Sequence, residues 1–317
     1  MTVRIGEILP HLVPWGLFFL PGKKRTTLER WLRGREEWRK LERADYVIVS
    51  WGKSGRTWLR LMISRIFQVK YKLSKTSFLE FDNLQRVNDK IPVVLFTHGN
   101  YIRDYTNEWT TKNTFYNKKV ILLVRDPRDV AVSQFFQWKY RMKPRKKIIN
   151  EYPAHNSDIS IYDFVVNHQA GLHRVIEFFN GWAAEQNQMH DLLVVRYEDL
   201  RTEPHIHLKR MLDFMDVAAS EDEIDDAIQF AAYDNMKQLE QSQGVQASGQ
   251  RMRPGDQSNP DSFKVRRAKV GGYRDYFTAN QVQAIDAMVD RELVPAFGYT
   301  SGETAPSAST TEATTAA

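Results

Sequence analysis

The sequence predicts a three-layer α/β/α protein built on a central parallel sheet. Three observations carry that prediction. Four short apolar runs, at 46–49, 93–96, 120–124 and 192–195, are rich in aliphatic and β-branched residues, which suits strands buried on both faces. Each run ends in a polar turn that opens a helical stretch, and such alternation implies parallel crossover connections. The polar clusters all lie at the ends of these runs, where an open parallel sheet has its ligand crevice.

The first run leads through Trp51-Gly52-Lys53-Ser54-Gly55-Arg56-Thr57-Trp58 into an amphipathic stretch ending at Phe67. A helix N-terminus offers unpaired N–H groups and a positive dipole end, which suits a phosphate or another tetrahedral oxyanion. Gly55 permits close backbone approach, Lys53 adds a charge, and Ser54 and Thr57 add hydroxyl donors. The second run ends at Thr97-His98. The third ends at Arg125-Asp126-Pro127, with a helix expected from about 128 to 140. The fourth ends at Arg196-Tyr197-Glu198-Asp199. Further on, Pro204 opens a helix through 208–215. One helical pattern is expected over 220–239, where Ser220 and Glu223 have capping-box spacing. Residues 241–262 read as a long loop, 264–278 as a basic, Gly-containing segment, and 279–293 as a last helix.

Composition bounds the rest. The chain has 317 residues, 42% of them apolar, with 8 Trp, 13 Tyr and 17 Phe, enough for a sizeable core. The expected organisation is an N-terminal arm over 1–40, one domain over 41–299, and a disordered Ser/Thr/Ala-rich tail over 300–317. The absence of Cys excludes disulfides and thiolate chemistry and fits a reducing, cytoplasmic compartment. Residues 5–20 are apolar but carry Pro10 and Pro14, and the run is too short to span a bilayer. It reads as an arm packed on the domain. Alternatively it is a peripheral membrane contact, since Lys23-Lys24-Arg25 follow Trp15, Phe18 and Phe19. The net charge of +6 favours acidic partners, phosphorylated small molecules among them. The basic run 139–147 reads as a solvated face. Without a nucleic-acid motif, no nucleic acid is expected, and the histidines show no metal-site pattern.

The first loop is not a Walker A loop, because Lys53 precedes Gly55 and no Gly lies four residues before a Gly-Lys pair. It resembles the 5′-phosphosulfate loop P-K-S-G-T-T-W of sulfotransferases that use 3′-phosphoadenosine 5′-phosphosulfate (PAPS). Arg125-Asp-Pro-Arg-Asp-Val-Ala-Val-Ser133 matches the R-x-P-x-D-x-x-x-S element that holds the 3′-phosphate in that family. Tyr197-Glu198-Asp199 matches a run whose Tyr contacts adenine. Arg266-Arg267-Ala268-Lys269-Val270-Gly271-Gly272-Tyr273 matches R-K-G-x-x-G-D-W. Four ordered elements between Gly52 and Thr278 make the resemblance specific.

It implies a P-loop-like fold of the cytosolic type and PAPS as co-substrate, with no metal. Sulfuryl transfer would then run to an acceptor hydroxyl or amine. Lys53, Ser54, Gly55, Arg56, Thr57, Arg125, Ser133, Arg266, Arg267 and Ala268 would face the phosphates, and Trp58, Tyr197 and Tyr233 the adenine. His98 is the candidate base, since an imidazole accepts a proton at neutral pH. Lys53 would stabilise charge on the leaving oxygen, and Ser133 would bridge Lys53 and the 3′-phosphate. The acceptor would be a hydroxylated small molecule, sugar or lipid. The chain departs from the pattern at Gly52, at Arg56 (usually Thr), at Phe96 (usually Lys) and at Ala268 (usually Gly). A Cβ at 268 would crowd the phosphate if its φ were positive. A catalytically weak nucleotide-binding module is the alternative reading.

Overall fold

A computed structural model describes residues 21–241 and 254–301. Expectations placed on 1–20, 242–253 and 302–317 lie outside those residues. They include the apolar arm with its membrane contact, most of the long loop and nearly all of the tail.

The strands are β1 (Tyr46–Ser50), β2 (Val94–Thr97), β3 (Lys119–Val124) and β4 (Asp191–Arg196). All pair in parallel in the order β2-β1-β3-β4, with Tyr46 opposite both Val94 and Lys119, and Lys119 opposite Asp191. Each of the four predicted runs is therefore a strand. Their side chains alternate between two cores. Val47, Val49, Val120 and Leu122 point into one, and Tyr46, Ile48, Ile121 and Leu123 into the other. That period of two, with helices over both faces, makes the three layers.

The first core is covered by α1 (Gly22–Arg43), α4 (Pro127–Tyr140), α7 (Leu172–Glu185) and α12 (Ala279–Glu292). The second is covered by α2 (Arg56–Lys70), α9 (Pro204–Phe214) and α10 (Glu221–Phe230). The first residues of α2 meet the cavity described below, while its Leu59, Met62, Ile63, Ile66 and Phe67 are fully buried. Each such side chain contributes about 1.5–3 kcal/mol of burial, which anchors the preceding loop to the sheet. Asp126 caps α4 by accepting from Arg128 N–H, with Pro127 in the first helical turn.

Two elements differ from expectation. The arm boundary at residue 40 falls inside α1. This helix buries Glu29, Gly34 and Leu41 rather than an apolar stripe. It is fastened by charge: Arg30 reaches Asp104 at 2.8 and 3.0 Å and the Ile149 carbonyl at 2.7 Å. The single helical pattern over 220–239 is two helices, α10 and α11 (Tyr233–Gln241), separated at Ala231-Ala232. The break puts Tyr233 at the start of α11. The Ser220–Glu223 capping box is present.

Candidate active site

The strand ends open into a cavity of about 1130 Å³. Typical small-molecule sites hold roughly 300–1,000 Å³, so two reactants fit side by side. Lys53, Gly55, Arg56, Thr57, Trp58, His98, Arg125, Ser133, Tyr197, Tyr233, Arg266, Arg267 and Ala268 all line it. Ser54 does not. It is wholly buried beneath the loop, and its hydroxyl has no hydrogen-bond partner.

The loop is held in an uncommon shape. Lys53 has φ +76° and Gly55 φ +94°. At Gly55 the left-handed backbone favours glycine, and a Cβ there would lie 2.5 Å from the Tyr197 ring. At Lys53 a non-glycine residue bears the same conformation, at a cost of about 1–2 kcal/mol. No side chain caps α2, so its first N–H groups remain for an oxyanion. The Lys53 amine makes no hydrogen bond or ion pair among the described residues. Burial, then the guanidiniums of Arg141, Arg266 and Arg125, push it down to about 7.

Arg125 ties the loop to the C-terminal basic segment. It donates to the carbonyls of Lys53 (3.1 Å) and Lys269 (3.2 Å), and its guanidinium lies 4.4 Å over the Tyr197 ring. Its Nε is buried without a partner. Asp129, one turn on, accepts from the N–H groups of Gly271 and Tyr273, both at 2.9 Å. That carboxylate clamps 266–273 against α4. Glu240 does the same from α11, accepting from Lys264 N–H (2.6 Å), Val265 N–H (2.9 Å) and Arg141 (3.1 Å). Ala268 has φ +48°, so the methyl group sits where the backbone favours glycine.

Arg266 stacks on Phe136 at 3.5 Å and donates to Tyr276 Oη at 2.8 Å, and Arg267 pairs with Asp275 at 2.5 Å. Tyr233 Oη donates to the Arg266 carbonyl at 2.7 Å, and Trp58 meets Tyr197 edge-on with ring centres 5.7 Å apart. Tyr197 is only 5% exposed and forms the aromatic floor under the loop.

His98 is enclosed from both sides. Its Nδ1 lies 2.6 Å from the Ser50 carbonyl, so Nδ1 carries the proton and donates. Its Nε2 therefore accepts, and Arg56 Nη2 lies 2.7 Å away. Burial, and secondarily the Arg56 charge, hold the imidazole well below its usual range. Behind it, Thr97 Oγ1 donates to Glu37 Oε1, and Gly99 N–H donates to Thr97 Oγ1 at 2.8 Å. Burial raises the Glu37 carboxyl to about 7, against the backbone N–H of Tyr101 and the charge of Arg56.

Asp129, Arg141, Glu240 and Glu37 were not singled out from sequence. Asp129 lies within the quoted 125–133 element, and its place there was the available signal. Arg141 fell in a run read as solvated. Nothing local marks Glu37 or Glu240.

A strand, an anion-binding turn and a helix N-terminus, backed by a second basic element, define an α/β protein built around a phosphorylated ligand. The chain belongs to the sulfotransferase domain family, whose model matches residues 43–296. It is 23% identical over 277 residues to cytosolic sulfotransferase 17 of Arabidopsis thaliana, covering 78% of this chain and 74% of that protein. It is 22% identical to an amine sulfotransferase of Oryctolagus cuniculus, covering 78% and 80%. The mouse sulfotransferase SULT7A1 complexed with PAP superposes with a TM-score of 0.51 at 19% identity, over 81% of this chain and 89% of that one. Retinol dehydratase with androsterone and PAP gives 0.53 at 16%, over 82% of each. Among the described residues no helix is long and apolar enough to cross a membrane.

Proposed function

We propose that this chain transfers a sulfuryl group from PAPS to a hydroxyl or amine of a small acceptor, in line, with His98 as base. One observation carries the reading. Lys53, the loop residues 55–58, His98, Arg125, Ser133 and the 266–268 segment, far apart in sequence, line one cavity. In the proposed step the acceptor oxygen bonds to sulfur as the bond from sulfur to the 5′-phosphate oxygen breaks. The acceptor proton passes to His98 Nε2, and 3′,5′-adenosine bisphosphate (PAP) leaves. Lys53 and the N–H groups of α2 face the oxygen on which charge builds. Arg125, Ser133 and the segment from Arg266 to Ala268 take the 3′-phosphate, and Trp58, Tyr197 and Tyr233 enclose the adenine.

Arg56 fits this scheme as a residue with two partners. With the donor absent it occupies His98 Nε2. With the phosphosulfate on the loop, its guanidinium turns to the donor oxygens, a stronger charge-assisted partner than a neutral imidazole. Nε2 is then open to the acceptor.

Incubation with ³⁵S-labelled PAPS and a panel of hydroxylated and amine acceptors tests the reading. A failure to bind PAP in calorimetry removes it. His98→Ala should bind PAP like wild type and lose transfer by at least about a hundredfold, the low end of general-base contributions. A second reading, a nucleotide-binding module that turns over poorly, is favoured by Arg56 on Nε2 and by the strained Ala268. It predicts tight PAP binding with no labelled product on any acceptor.

A further inference from the structure

The cavity extends beyond the phosphate elements. Its far end is built from α3 (Ile102–Thr106), the chain that follows, and α7, none of which contributes to the loop or to the basic C-terminal segment. Two cations stand in that wall. Arg103 lies 4.8 Å over the ring of Trp109, which is half exposed, and its Nε is buried with no partner. The Lys112 amine lies against α7, where a Cβ at Gly181 would come within 3.3 Å of it. Glycine inside a helix costs about 1 kcal/mol relative to alanine, and here it leaves the space the amine occupies. Neither side chain forms an ion pair among the described residues.

Burial lowers the Lys112 amine; the charge of Glu185 raises it, that of Arg103 lowers it, and that of Glu177 raises it, in that order of size. Two of the nearby carboxylates have other partners. Glu185 Oε2 accepts from Lys112 N–H (2.7 Å) and Tyr116 Oη (2.6 Å), and Glu108 Oε1 accepts from Asn113 at 2.9 Å. Glu108 Oε2 is buried without a partner, an acceptor for a ligand hydroxyl. The rings of Trp109 and Phe178 line the same cavity. Two cations that line one cavity beside the Trp109 ring, neither in an ion pair among the described residues, offer a place for an anion on a ring.

We infer that the acceptor of this enzyme carries an anionic group, bound between Arg103 and Lys112, on a hydroxylated aryl or sugar ring packed against Trp109. A neutral steroid or lipid alcohol would leave both cations without an ion-pair partner. This inference rests on the sulfotransferase reading for the word acceptor, but not for the site itself.

The test compares acids with their methyl esters, by calorimetry on protein saturated with PAP. The probes are 4-hydroxyphenylacetate and glucuronate, each beside its ester, so the two arms separate an aryl ring from a sugar. At least one acid should bind about tenfold or more tighter than its ester. Arg103→Gln and Lys112→Gln should each erase most of that preference and leave PAP affinity unchanged, which also reports folding. Equal affinity of acid and ester, preference intact in both variants, or displacement of PAP by the acid would overturn the inference. If the protein binds no PAP, the transferase reading fails alone. The acid–ester comparison on the unliganded protein then still decides the anion site.

Discussion

The titration of Lys53 gives a quantitative test of the phosphate loop. The free amine sits near 7 because it is buried among Arg141, Arg266 and Arg125. A bound phosphate or sulfate reverses that balance and holds it protonated. Binding of PAP must therefore take up protons wherever free Lys53 is neutral. With a free value of about 7, uptake is about a tenth of a proton at pH 6, three quarters at pH 7.5, and nearly one at pH 8.5. The phosphates do not obscure this above pH 7.5, since their second ionisation lies near 6. Each pH unit above about 8 then weakens binding close to tenfold, about 1.4 kcal/mol. The assay is calorimetry of PAP binding in buffers of different ionisation enthalpy at each pH. Lys53→Arg keeps the charge and removes the titration, so its uptake should vanish and its affinity should stay flat between pH 7.5 and 9. Zero uptake by wild type at pH 8.5, or equal uptake by Lys53→Arg, would refute the placement of Lys53 against the donor.

Three further outcomes follow from the same cavity. Arg56→Thr removes a guanidinium from His98 Nε2 and raises the affinity of the imidazole for a proton. The acid limb of kcat/KM should therefore move to higher pH, with a higher KM for PAPS, and an unmoved limb would remove Arg56 from the base. Ala268→Gly relieves a methyl at φ +48° and should raise stability in urea by about 0.5–1 kcal/mol, the strain relieved less the added unfolded-state entropy. It should also tighten PAP binding. Asp129→Ala deletes the acceptor of two N–H groups, each worth about 1.5–3 kcal/mol. Hydrogen exchange should quicken at Gly271 and Tyr273 while the strand amides stay protected, and PAP affinity should fall.

The strands and the phosphate loop were legible because their signals are local. A run such as 120–124 is apolar at every position because both faces of β3 are covered, and Lys53, Gly55 and Thr57 are neighbours in the chain as in space. The helix α1 was not legible, since its buried face is Glu29 held by Arg33 (2.7 Å) and Arg145 (2.6 Å), a pattern that reads as solvated charge. The break at Ala231-Ala232 was invisible for the opposite reason: alanine is the best helix former, and only tertiary packing turns the chain there. The contact of Arg56 with His98 joins residues 42 apart. It exists because β1 and β2 pair in parallel and bring the turns after Ser50 and after Thr97 side by side.

On the proposed reading, that contact also gives a role to Arg56. A cation at the first position of a helix opposes the macrodipole by about 0.3–1 kcal/mol, and Arg56 sits in a cavity already crowded with Lys53, Arg125 and Arg141. Burial and the neighbouring guanidiniums lower the Lys53 amine to about 7, and Arg56 lies on the His98 imidazole, with Glu37 behind. On the proposed reading, each of these arrangements gives way to a contact with the donor. A donor with a 5′-phosphosulfate and a 3′-phosphate would then meet both ends of the cationic wall at once. A nucleotide lacking the 3′-phosphate would leave Arg125 Nε buried without a partner. On that reading, selection for a nucleotide with both anionic groups comes from relieving repulsion among these cations as well as from the contacts it makes.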